Sequence, residues 1–138
     1  MAESLAHMKY VERMVIYAET IPMQFVASMM YADLASYGQR TPKVINGFYP
    51  DLYYYDLHYV IIGEAKTTDD IDNEHTMAQL DSYIKEIRTY NCERHIIICS
   101  SMIAYAQINN LVIRKKRRDN IQDITFHVMD NHLRHRII

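Results

Sequence analysis

The chain predicts an α/β fold with a mixed central sheet, and three observations carry that prediction. Apolar residues recur at helical spacing to about residue 37, and from Lys43 the period shortens to that of strands. Two apolar runs, 59–66 and 94–100, are then separated by a helical stretch, the arrangement of a parallel crossover. The expected element order is α, α, β, β, β, α, β, α, β. At 138 residues this is one domain, 1–138, able to bury roughly 68% of its unfolded surface without a disulfide or structural metal.

Residues 3–19 predict the first helix, with Leu5, Met8, Val11, Val15, Ile16 and Ala18 on one broad stripe. Glu12 falls inside that stripe, and a surface position and a functional one are both open to it. Thr20-Ile21-Pro22 predicts a stop and restart, with Thr20 as N-cap of a second helix reaching Tyr37 and closed by Gly38. Its Met-rich face (Phe25, Val26, Met29, Met30, Leu34) is expected to be packing surface. A three-stranded meander follows: 43–46, an Asn46-Gly47 hairpin signal, 48–56, then 58–66. Asp51, Tyr53 and Tyr55 share one face of the middle strand, and the tyrosine alternation is expected to be structural.

The polar stretch after Lys66 leads into a helix over 72–90 with Met77, Leu80, Ile84 and Ile87 as its apolar stripe. Gln79 and Tyr83 lie on the flank of that stripe, one turn apart. Ile96-Ile97-Ile98 marks a strand covered on both faces, Ser100 or Ser101 a cap for a last long helix to Arg118, and 124–129 a final strand. The last helix ends in Arg114-Lys115-Lys116-Arg117-Arg118. A helix C-terminus favours cations, but five in a row exceed that need.

Composition limits the function classes. Fifteen Lys plus Arg against seventeen Asp plus Glu leave a net charge of −2, so any nucleic-acid contact must be local rather than a coat of positive charge. Two cysteines, Cys92 and Cys99, without a C-x-x-C pair exclude a four-cysteine zinc or iron-sulfur site within this chain and suit a reducing compartment. No signal peptide or membrane-length apolar run is evident, so a cytoplasmic protein with no membrane partner is expected.

Chemistry concentrates between Pro50 and Tyr83. The apolar run 59–66 ends in Glu64-Ala65-Lys66, and strand alternation puts Glu64 and Lys66 on one face with Ala65 on the other. An acid and a base at the end of a buried strand are costly unless paired or holding an ion. Twelve residues separate Asp51 from Glu64. Together, Pro50-Asp51, Glu64-x-Lys66 and Gln79-Leu80-x-x-Tyr83 resemble the PD-(D/E)xK nuclease superfamily. The last piece is similar to the Q-h-x-x-Y motif of its RecB-like and lambda-exonuclease-like branches, and the small size also fits a Holliday-junction-resolvase-like enzyme. The motifs cover about the middle third of the chain. The cysteine cluster of some RecB-like nucleases is missing.

The resemblance implies a restriction-endonuclease-like αβββαβ core, here with one extra helix before it and an αβ pair after it. It implies metal-dependent hydrolysis of phosphodiester bonds, with DNA the expected substrate. Mg²⁺ or Mn²⁺ would be held by Asp51, Glu64, the Ala65 carbonyl and Glu12 from the first helix, where family members use a glutamate. Lys66 would orient water and stabilise the pentacovalent phosphate, Gln79 would position Lys66 or the nucleophile, and Tyr83 would contact phosphate or brace its helix. Two bare carboxylates about 4 Å apart repel by roughly 4 kcal/mol at an effective dielectric of ~20, and a divalent ion removes that cost. Hard oxygen ligands favour Mg²⁺ or Mn²⁺ over zinc. Arg114, Lys115, Lys116, Arg117 and Arg118 are the expected nucleic-acid contacts. A homodimer or a directing partner protein is compatible with so small a domain. Two alternatives stay open: an inactive nuclease-like fold that only grips nucleic acid or a partner, and an adaptor whose acids are ordinary ion pairs.

Overall fold

The computed structural model describes residues 4–67, 71–132 and 134–138. Its centre is a six-stranded mixed sheet in simple sequence order: β1 (Met30–Ala32), β2 (Leu52–Tyr55), β3 (Tyr59–Lys66), β4 (Glu93–Ser100), β5 (Thr125–Asp130) and β6 (His135–Ile137). The first three strands pair antiparallel, β3, β4 and β5 pair parallel, and β6 returns antiparallel to β5. Parallel pairing needs crossovers, which α2 (Asn73–Ile87) and α3 (Tyr105–Arg118) supply.

Helix α1 (Leu5–Ala18) begins at Ser4, whose side chain accepts from the His7 N–H, and α2 begins at Asp72, which accepts from the His75 N–H. Strand alternation assigns the two faces of the sheet. Val60, Ile62, Ile96, Ile98, Phe126 and Val128 pack with α2 and α3, whereas Leu52, Tyr54, Ile61, Ile97, Cys99 and Met129 pack with α1. The sheet is thus sandwiched between helices, and its parallel strands are apolar on both sides. The register Lys66↔Ser100↔Asp130 aligns the C-terminal ends of β3, β4 and β5 along one edge.

The expected helix over 22–37 does not form. That segment holds two short 3-10 turns flanking β1, where Met30 and Ala32 are fully buried and Tyr31 points outward. Pairing with β2 (Met30↔Tyr54, Ala32↔Leu52) buries both residues completely, while Met23 remains 92% exposed. Thr20 does not cap a new helix; its hydroxyl donates back to the Tyr17 carbonyl at the end of α1. The expected strand at 43–46 shrinks to one bridge, Ile45↔Phe48, around Asn46 and Gly47 at φ 49° and 81°. A three-stranded meander is present, but its first strand is 30–32. The last helix starts at Tyr105, because Ser100 still belongs to β4 and the Ser101 hydroxyl accepts from the Ala104 N–H in an intervening turn. Strand β6 was not expected, since 124–129 was expected to be the final strand.

Candidate functional site

The meander and the first crossover bring Asp51, Glu64, Lys66, Gln79 and Tyr83 to the C-terminal end of β3. Asp51 directly precedes β2, and its backbone N–H donates to the Gly63 carbonyl at 2.9 Å. Its Oδ2 accepts from the Ala65 N–H at 2.8 Å, and its Oδ1 lies 2.9 Å from His7 Nε2. Both Asp51 and Glu64 are buried.

A directional chain of hydrogen bonds ties the remaining groups together. Lys66 Nζ donates to Gln79 Oε1 at 2.5 Å, Gln79 Nε2 donates to the Tyr83 hydroxyl at 3.3 Å, and that hydroxyl donates to Glu64 Oε1 at 2.6 Å. The chain starts on a cation and ends on a carboxylate, which fixes the orientation of the Gln79 amide. Gln79 and Tyr83 are therefore not at the flank of the core, as the helical wheel suggested; they are 6% and 0% exposed.

The electrostatics match the burial. Burial raises the Glu64 carboxyl well above the usual carboxylate range, and the charge and hydrogen bond of Asp51 raise it further, against the opposing pull of Tyr83 and Lys66. Burial also lowers the Lys66 ammonium below the lysine range, although Glu64, Asp51 and Asp72 oppose it. Burial and the Glu64 charge push the Tyr83 phenol up, so its hydroxyl keeps its proton and remains a donor. An acid pair with one member destabilised in its charged form is a donor set that a hard divalent cation fits.

Glu12 stands elsewhere. The buried face of α1 is Tyr10, Val11, Met14, Val15 and Ala18, while Ile16 and Leu5 are about two-thirds exposed, so the apolar stripe is rotated from the expected one. Glu12 is exposed and lines a shallow groove with Lys9, Arg13, Ile16 and Asn131. The first-helix residue that reaches Asp51 is His7, which precedes Val11 and Met14 by one and two turns on the buried face. Asp33, just after β1, is tied to Asp51 by a backbone hydrogen bond of 2.9 Å. The heptad-like series His7, Val11, Met14, Ala18 could have revealed His7 in the sequence. Asp33 had no such signal, because its segment read as a helix.

The basic cluster is only partly available. Lys115 is 3% exposed and forms ion pairs with Asp81 and Asp119, and Lys116 Nζ donates to the Ile124 carbonyl and lies over the Phe126 ring. These two lysines are structural ties, a correction to their expected place among the nucleic-acid contacts. Arg114, Arg117 and Arg118 are exposed and line a groove with Asn73 and Met77. Since α3 leads from the end of β4 back to the start of β5, its last turn lies toward the edge of the sheet opposite Lys66. Among the described residues no helix is long and apolar enough to cross a membrane. Comparison with protein families, with curated proteins and with solved structures finds no match.

Proposed function

We propose that the protein is a metal-dependent nuclease of the PD-(D/E)xK type that hydrolyses phosphodiester bonds in DNA. The observation that carries this reading is the closed set Asp51, Glu64, Lys66, Gln79 and Tyr83, in which the resembling motifs, distant in sequence, share one hydrogen-bonded network. The element order α1, β1, β2, β3, α2, β4 supports it as well, since an antiparallel meander followed by a parallel strand is what a restriction-endonuclease-like core requires.

Asp51, Glu64 and the Ala65 carbonyl would hold a Mg²⁺ or Mn²⁺ ion, which when bound supplies Lewis acidity toward phosphate and offsets the repulsion of the two acids. The chain's own groups do the rest. Tyr83 fixes the Glu64 carboxylate through its hydroxyl proton, and Gln79 fixes Lys66 Nζ. Lys66 brings a cation to the site where charge develops on a phosphate oxygen, in surroundings dry enough to strengthen the attraction. Its lowered affinity for protons also lets Nζ exchange one with the attacking water.

The test is digestion of linear, circular, single-stranded and branched DNA with Mg²⁺, Mn²⁺ or chelator, by wild type and Lys66→Ala. Cleavage should require the divalent ion and fall at least ~100-fold in the variant. Wild-type cleavage by Lys66→Ala, or none by the wild type on any substrate with either ion, removes the assignment.

A further inference from the structure

A cavity of about 870 Å³ opens at the end of the sheet away from Lys66, where β3 starts at Tyr59 and β4 at Glu93. Small-molecule sites span roughly 300–1,000 Å³. Met23 and Leu57 form part of its wall and are 92% and 83% exposed, large apolar side chains left in water. Tyr55 and Tyr59 add aromatic rings, and Asp56 and Glu93 add two carboxyl groups. Among the described residues no lysine or arginine lines the cavity, and its one imidazole is His58. Arg94, next to Glu93 in β4, points to the other face of the sheet and pairs with Asp123.

Behind Glu93 runs a buried polar chain that the nuclease reading does not use. The Tyr17 hydroxyl, from the last turn of α1, lies 2.6 Å from His127 Nδ1, and His127 Nε2 lies 2.8 Å from His95 Nδ1. Burial raises the Tyr17 phenol and lowers both imidazoles, His127 to about 3 with His95 and His135 adding to the effect, so Tyr17 keeps its proton and each ring carries one. Such a chain can run in two directions. One would turn the lone pair of His95 Nε2 toward the Glu93 carboxylate. The other, from the Tyr17 O–H through the His127 Nε2–H, leaves a proton on His95 Nε2 facing Glu93 Oε1, and charge selects it. His95 is 6% exposed, yet Nε2 has no hydrogen-bond partner, because Glu93 Oε1 stands 3.5 Å away. A buried donor therefore aims at the acid that walls the cavity.

We propose that this cavity binds a small organic cation with an apolar body, an aromatic or alkyl amine, with its charge set against Glu93. Asp56 already accepts from the Tyr54 hydroxyl and from the N–H groups of His58 and Tyr59, so it adds negative potential while Glu93 makes the contact. The tyrosines favour a cation near their rings, and Met23 and Leu57 cover the apolar body. A ligand seated there encloses Glu93 between its own charge and the His95 N–H, and Tyr17 and His127 act as positioning residues through His95. The site does not rest on the nuclease reading.

The test is titration of the isotope-labelled full chain with phenethylammonium, with 2-phenylethanol and with phenylpropionate, followed by the amide resonances in NMR at pH 7. The cation should give saturable shifts at 23–29, 55–59 and Glu93, with a dissociation constant about 10-fold below that of the alcohol, and the anion should bind more weakly than either. Glu93→Gln should bring the cation to the affinity of the alcohol, and Glu93 is exposed enough that the variant should keep the wild-type spectrum elsewhere. Tyr17→Phe should weaken the cation in the wild-type background and not in Glu93→Gln, which a merely structural tyrosine would not do. Equal affinity for cation and alcohol, no saturable shift with any probe, or an unchanged constant in Glu93→Gln overturns the proposal. A loss of the same size in both backgrounds of Tyr17→Phe overturns the positioning role of the chain.

Discussion

Glu64 and Lys66 stand two residues apart on one strand, and burial disfavours the charge of each. For Glu64 the folded chain binds its proton more tightly than the unfolded chain, whose ordinary value is 4.5. The corresponding stability is fully present below pH 4.5 and is lost as pH rises through the raised folded value. Lys66 has the opposite sign: its folded affinity for protons is lowered from 10.5, so its contribution rises with pH in the window just below that value. In chelator, Glu64→Gln should therefore melt at or above wild type at pH 7 and lack the decline expected of wild type above pH 4.5. Thermal scans from pH 4 to 9 measure this, and a large loss of stability in Glu64→Gln would mark the acid as a structural partner of Tyr83 instead.

At the scale of the element, β3 is pressed from the α1 side. A Cβ on Gly63 would lie 3.0 Å from Leu52 Cβ and 3.2 Å from Met14 Sδ, so Gly63→Ala should cost about 1–3 kcal/mol by urea unfolding. The Glu64 side chain points to the opposite face, so cation affinity should change little, and a variant as stable as wild type would show that α1 gives way easily. The end of α3 divides into tied and free cations. Lys115→Ala should lose ~1–3 kcal/mol of stability, because Asp81 and Asp119 lose a buried partner, and leave the salt dependence of DNA binding intact. Arg114→Ala with Arg117→Ala should flatten that dependence by roughly 1.8 units for duplex DNA if both touch phosphate, with no loss of stability. An unchanged slope would move the DNA path off α3.

Over the whole molecule, the candidate site collects groups from α1, the segment after β1, the lead into β2, the end of β3 and α2. A cation held there would link elements that otherwise meet only through the sheet. Mg²⁺ or Mn²⁺ at 100 times its dissociation constant should add about 2.7 kcal/mol and raise the melting temperature by roughly 10 °C. Scanning fluorimetry with and without chelator reads this directly, and no shift would favour an adaptor whose acids are plain ion pairs.

The α/β class, the strands 59–66 and 94–100, both crossover helices and the common face of Glu64 and Lys66 follow from the sequence alone. Each rests on local periodicity, which survives wherever an element buries one well-defined face or both. Tertiary pairing decided the rest. Residues 30–32 carry an apolar pattern that suits either period, and the open edge of β2 made them a strand. The rotation of α1 was set by where Tyr10 and Met14 fit against β2 and β3, which turned Glu12 out and His7 in. Lys115 and Lys116 read as free charge because Asp81, which with the neighbouring Asp119 holds Lys115, and the Ile124 carbonyl, which holds Lys116, lie outside their helix. His7 shares the period of the buried face of α1, but contacts between residues far apart in the chain leave no period in it, so the pairing of Asp33 and His7 with Asp51 was decided only when the sheet closed.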